Sequence, residues 1–139
     1  MTSGKSIFTR IIEGEIPSFK IFENDHVYSF LDINPVSPGH VLVVPKEPVR
    51  FLHELSPEFS SELGKALSII SRSVIEATGA TSYNIIQNNG SEAGQTVFHV
   101  HFHIIPKYPK STHSFAWKTM EMDKKDASEL AKKISTGIL

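Results

Sequence analysis

Phe98-His99-Val100-His101-Phe102-His103-Ile104-Ile105 alternates apolar and imidazole side chains up to its last pair. A β-strand sends successive side chains to opposite faces. The pattern predicts a strand over 97–105, with Phe98, Val100, Phe102 and Ile104 in a core and three imidazoles projecting together from the other side. Neighbouring imidazoles would lie roughly 6.6 Å apart along such a strand. A merely polar strand face would use Thr, Ser or Lys as readily as His. Three imidazoles in one row therefore read as a site.

The rest of the chain supplies a scaffold for that strand. Upstream, Ile7, Phe8, Ile11 and Ile12 recur at helical spacing and predict a helix over 6–13, with Gly14 placed to end it. Two β-prone runs, 19–23 and 27–31, flank the Asn24-Asp25 turn signal. A loop containing Pro35, Pro38 and Gly39 leads to a third strand, 40–44, which Pro45 and Pro48 stop. Ser56-Pro57 opens the clearest helix, with serine as N-cap and proline at the first helical position. Its stripe Phe59, Leu63, Ala66, Leu67, Ile70, Val74 and Ala77 is made to lie on a sheet. A strand over 82–87, a polar loop over 88–96 and a short helix over 124–135 complete the reading. Strands interrupted by one long helix predict a single α+β domain, residues 1–139, with a largely antiparallel sheet.

Composition narrows the class. At 139 residues, 40% hydrophobic and 21% charged, the chain matches an ordinary globular domain. A formal net charge of −1 offers nothing to a nucleic-acid backbone or an anionic membrane. Without cysteine, disulfides and thiolate chemistry are excluded. No apolar run approaches the ~20 residues of a membrane span, and MTSGKS lacks the apolar core of a secretory signal. A cytoplasmic or nuclear enzyme or binding protein is expected.

Just before the histidines, residues 88–96 (NNGSEAGQT) gather two glycines, two asparagines, a glutamine and hydroxyls. Glycines let backbone N–H groups approach an anion, and Asn, Gln and Thr donate further bonds. Such a loop feeding a row of imidazoles suits a phosphate ester or anhydride. Together these features resemble the histidine triad (HIT) nucleotide-binding family, whose signature is His-x-His-x-His followed by two apolar residues. The likeness extends over IFTRIIEGEIPSFKIFE (7–23), FLDINPVSPGHVLVVPK (30–46), YNIIQNNGSEAGQTV (83–97) and HVHFHIIPK (99–107). It is greatest for the Hint branch, the adenosine 5′-monophosphoramidases.

The resemblance implies a five-stranded antiparallel sheet with one long helix and short terminal helices, continued across a homodimer. It also implies a purine nucleotide substrate. His101 would be the nucleophile that attacks the α-phosphorus and is nucleotidylated. His103 would contact phosphate or bridging atoms, and His99 would support the constellation. Gly94, Gln95, Thr96 and Asn88 would bind phosphate oxygens, and Asp32 the ribose hydroxyls. Ile7, Phe8, Ile11, Phe30 and Ile33 would form the base slot, with His40 behind the triad. His26, His53 and His113 match nothing and read as surface residues.

Many relatives of this type hold structural zinc with Cys-x-x-Cys, a histidine after the central strand and the first triad histidine. Ser6, Thr9 and Pro48 stand at three of those positions here. Hydroxyls are poor zinc ligands, so no metal and no cofactor are expected. The Trp-Pro-Pro-Gly ending of animal Hint proteins is absent, with Trp117 its nearest approximation. A cupin-like metal enzyme is disfavoured because no acidic residue follows His103 before Glu121. A diadenosine polyphosphate hydrolase of the Fhit type and a nucleotide-binding regulator remain as alternatives.

Overall fold

The computed structural model describes residues 4–110 and 117–138. His113 and the Phe115-Ala116 pair before Trp117 lie outside them. Helix α1 spans Ile7–Ile12, and strands β1 Lys20–Glu23, β2 Val27–Leu31 and β3 Val41–Pro45 follow. The long helix α2 spans Pro57–Thr78, β4 Ser82–Gln87, β5 Phe102–Lys107 and α3 Lys124–Thr136. The strands form one sheet in the order β1-β2-β3-β5-β4, antiparallel at every pairing. This is the expected α+β architecture.

Pleating sorts the strands' side chains onto two faces. Val27, Val41, Val43, Val100 and Ile104 pack against Leu63, Ala66, Ile70 and Val74 of α2. Those four helix positions recur at three- and four-residue steps and form the stripe read from sequence. On the opposite face Tyr28, Phe30, Leu42 and Val44 meet Phe8 and Ile11 of α1. Leu42 pairs with both Phe30 and His103. His103 therefore extends an apolar row on the α1 side of the sheet.

The histidine strand differs from its expected extent. Its ladder begins at Phe102 rather than 97 and runs through Pro106 to Lys107. The pairing Val41↔Ile104, Leu42↔His103, Val43↔Phe102 would next require residues 100 and 101 to face β3's end, where Pro45 has no N–H to give. The chain departs instead, and the Val100 N–H donates to the carbonyl of Val49 (2.9 Å). Phe98 consequently leaves the core and lies 49% exposed, with the Arg50 guanidinium 4.1 Å from its ring centroid. Helix α1 buries Phe8 and Ile11, whereas Ile7 is 47% exposed. Among the described residues no helix is long and apolar enough to cross a membrane.

Candidate active site

Leaving the ladder early gives the three histidines three different environments. His99 is 1% exposed, and both ring nitrogens have partners. Its Nε2 lies 2.8 Å from the carbonyl of Pro45, an oxygen that can only accept, so Nε2 carries the proton. Its Nδ1 faces Ser6 Oγ at 2.7 Å and Thr9 Oγ1 at 3.4 Å. Burial pushes the imidazole below its ordinary pKa, outweighing the Pro45 bond, and the neighbouring His101 acts in the same direction. His99 is therefore neutral, and its Nδ1 accepts.

His101 is also buried, and its Nδ1 donates to the carbonyl of His99 (2.8 Å). That bond fixes the tautomer and leaves a bare Nε2, which has no hydrogen-bond partner among the described residues. The Phe8 ring stands edge-on to the imidazole, 4.8 Å between centroids. Burial again lowers the pKa, against the opposing pull of the His99 carbonyl and the Asp32 charge. A neutral imidazole with one fixed proton and one free lone pair is a nucleophile in its reactive form.

His103 sits at the end of a relay that starts on the backbone. The Val36 N–H donates to His40 Nδ1 (3.0 Å), so the His40 proton is on Nε2. His40 Nε2 lies 2.9 Å from His103 Nδ1 and 3.5 Å from Asp32 Oδ2. The shorter contact makes His103 Nδ1 the acceptor and puts the His103 proton on Nε2, the nitrogen turned away from His40. Burial, reinforced by His101 and His40, pushes the His103 pKa down to about 4. The ring thus remains a neutral donor at pH 7.

The loop that carries His40 is anchored on both sides. Ser37 Oγ donates to the Pro106 carbonyl (2.6 Å) and Tyr108 Oη to that of Pro38 (2.6 Å). At Gly39, where φ is +90°, a Cβ would come within 2.7 Å of Thr78 Cγ2 at the end of α2. Glycine is required there by backbone conformation and by space. Asp32 Oδ1 caps this loop by accepting from the Asn34 N–H (2.9 Å). Asp32 thus holds the turn with one oxygen while the other stays near His40.

In the glycine loop the candidates divide. Gln95 is 2% exposed, and its amide is used at both ends: Oε1 accepts from Gly90 N–H (2.8 Å) and Nε2 donates to Arg50 O (2.9 Å). Its own N–H donates to Gly90 O. Gln95 is thus a strut that shapes the loop, rather than the bare donor expected of it. Thr96 is exposed, with no partner among the described residues for its N–H or hydroxyl. Gly94 has φ +95° and lies against the Asn88 amide, 3.5 Å from the point a Cβ would occupy. Asn88 shares a cavity with His40 and His103.

The residues expected to form a base slot line one cavity. An apolar cavity of about 230 Å³ is lined by Ile7, Phe8, Ile11, Phe30, Asp32 and Ile33, among others. Ile33 is 76% exposed at its mouth. His26 pairs with Glu58 at 3.0 Å and His53 stacks on Phe51, both away from the triad. Trp117 is 84% exposed.

Two clusters could invite a metal. Asp32, His40 and His103 present ligand-type atoms within 4.8 Å of one another. The relay accounts for that proximity, because His40 Nε2 carries a proton and cannot ligate while it donates. The second cluster is Ser6, Thr9 and His99, at positions that the family resemblance matches to zinc ligands. Its two hydroxyls and single imidazole are a hydrogen-bonded set, not a zinc donor set. Sequence reasoning missed the Ser6–His99 bond, the Val36 amide and the Pro45 carbonyl. The Pro45-x-x-Pro48 stop was the signal for the last of these.

Comparison with known proteins agrees with this geometry. The HIT domain model matches residues 13–110. The chain is 42% identical over 129 residues to an adenosine 5′-monophosphoramidase of Saccharomyces cerevisiae, covering 92% of this chain and 79% of that one. It is 39% identical over 137 residues to the Bacillus subtilis protein hit, with 94% of each covered. A solved structure from Leishmania major superposes with a TM-score of 0.90 at 43% identity, covering 99% of this chain and 98% of that one. With its imidazole row, donor loop and sheet order all in place, the chain belongs to the HIT domain family.

Proposed function

We propose that the protein hydrolyses purine nucleoside 5′-phosphoramidates, and related mixed anhydrides of AMP, to the nucleoside monophosphate. The observation that carries this reading is the tautomer of His101: Nδ1–H is held by the His99 carbonyl, and Nε2 is bare. In the first step the Nε2 lone pair attacks the α-phosphorus, the bond to the leaving nitrogen breaks, and that nitrogen takes a proton from solvent water and departs as the amine. In the second, water attacks the same phosphorus and gives a proton back to solvent, the P–Nε2 bond breaks, and neutral His101 returns. His103 Nε2–H, the Thr96 N–H and hydroxyl, and the Asn88 amide donate to the phosphoryl oxygens as charge builds on them. Asp32 accepts from the ribose hydroxyls, and the base enters the slot between α1 and β2. No step requires a metal.

The relatives' adenosine 5′-monophosphoramidase name supports the substrate class. We further propose a homodimer that continues the sheet. Strand β4 is an edge on which Tyr83 and Ile85 are about two-fifths exposed, beside the exposed Ile69 of α2. A cavity between α2 and β4 is lined in part by Ser71, whose buried hydroxyl has no hydrogen-bond partner among the described residues. These features suit a face that a second copy covers.

The test is acid-quenched turnover of an adenosine phosphoramidate followed by mass spectrometry. A nucleotidyl adduct on His101 is expected, and His101→Ala should lose several orders of magnitude in kcat while still binding AMP. Near-normal turnover by His101→Ala would overturn the assignment.

A further inference from the structure

We propose that Ser6 is a positioning residue for the nucleophile: its hydroxyl clamps His99, and the His99 backbone in turn holds His101 in its reactive tautomer. The proposal rests on the reading that His101 is the nucleophile. Three hydrogen bonds run in series through His99, and a fourth arrives at its backbone from His101. The Thr9 N–H donates to Ser6 Oγ (3.0 Å), Ser6 Oγ–H to His99 Nδ1 (2.7 Å), and His99 Nε2–H to Pro45 O (2.8 Å). His101 Nδ1–H then donates to the carbonyl of His99 (2.8 Å). Each donor and acceptor follows from its neighbour. Pro45 O can only accept, so His99 Nδ1 is bare and the Ser6 hydroxyl must donate. The Ser6 oxygen is then left to accept from Thr9.

Ser6 thereby does two separate things. It caps α1, as any good N-cap oxygen would. It also supplies a donor to a buried imidazole, which a cap that only accepts cannot do. The second task matters because His99 is fully enclosed, and water cannot replace a lost donor there. Without that donor the ring keeps its Pro45 bond but has only the 3.4 Å contact of Thr9 Oγ1 at Nδ1, and the residue whose carbonyl His101 uses is held less tightly. The same helix presents Phe8 to the His101 ring and Ile7 and Ile11 to the base cavity. One hydroxyl therefore registers the substrate slot against the attacking nitrogen.

Three substitutions separate cap from clamp. Ser6→Ala removes both functions, Ser6→Thr keeps both, and Ser6→Asp keeps the cap but presents an acceptor to His99 Nδ1. The readouts are Tm, kcat and KM for an adenosine phosphoramidate, and the 15N shifts of the His99 and His101 rings, which separate protonated from bare nitrogens. The expected result is a fall in kcat of roughly tenfold or more for Ser6→Ala, with KM within about twofold, and recovery of most of that loss in Ser6→Thr. Ser6→Asp should retain Tm yet lose kcat like Ser6→Ala, with its His99 Nδ1 protonated. Wild-type kcat in Ser6→Asp, or a loss in Ser6→Ala seen only in Tm, would overturn the proposal and leave Ser6 as a helix cap. If the wild-type protein turns over no phosphoramidate, the reaction assigned above falls. The ring tautomers of His99 and His101 in the Ser6 variants then decide the clamp by themselves.

Discussion

His99 and His103 flank the same residue in sequence and are held in opposite ways. His99 is saturated: one nitrogen is on the Pro45 carbonyl, the other on the Ser6 hydroxyl, and the ring is shut from solvent. His103 is half-satisfied: Nδ1 is taken by His40, Nε2–H has no partner among the described residues, and the residue lines a cavity shared with Asn88. A row of three imidazoles therefore contains one strut, one ring with a bare nitrogen and one donor. Periodicity groups them, and only the hydrogen bonds on either side tell them apart.

That contrast is broken most severely by truncating its donor end. His103→Ala should lower kcat by about 10²–10³-fold, the scale of a lost oxyanion donor, while Tm moves by only a few degrees. Steady-state kinetics with a parallel melting curve checks both. His99→Ala should do the reverse. Emptying a filled, hydrogen-bonded site costs on the order of 2–4 kcal/mol, so thermal unfolding should show a large drop at any pH where the ring is neutral. Equal Tm losses in the two variants would erase the distinction between strut and donor.

Acid should sharpen the comparison next. Because His101 lies below its ordinary pKa, kcat/KM should hold down to about pH 6.5 and fall only below it, by about tenfold per pH unit once the ring protonates. Stability should follow with the same sign. Between pH 6.5 and about 4 the unfolded chain takes up protons that the folded His103 refuses, so Tm falls as the pH is lowered through that window. An acid limb above pH 6.5 would contradict the burial argument. Smaller still, Asp32→Asn should raise KM several-fold with kcat nearly unchanged, since that carboxylate is assigned to the ribose. The smallest effect belongs to metal removal: EDTA should leave both Tm and turnover unchanged. A drop of several degrees, or activity restored by zinc, would mean that the Ser6, Thr9 and His99 set binds metal after all.

Most of the fold was legible because its signals are local and repeated. The stripe of α2, the Ser56-Pro57 start and the Asn24-Asp25 turn each name an element, and those elements stand within one or two residues of where they were read. The alternation at 98–104 was misleading in one respect. It described side-chain chemistry correctly but overstated the strand, because strand pairing also depends on the partner, and the partner ends in proline. The family resemblance named candidate site residues without giving their states. Gln95 shows why: type and position mark it as a phosphate donor, yet its amide is spent on Gly90 and Arg50, distant or unremarked in sequence. The tautomers of His101 and His103 are likewise set by carbonyls and amides, which every residue carries and no motif can mark.

Gly39 gives the site a connection that its chemistry alone would not suggest. Its missing side chain lets the His40 loop rest almost directly on Thr78, the last residue of a helix packed against the opposite face of the sheet. The two faces are therefore geared together at one point beyond the strand ends. Thr78 therefore bounds, from the end of that helix, the backbone that feeds His40 and so the Nδ1 side of His103. The long helix is thus more than a lid on the core: its final turn is the abutment against which the relay is set.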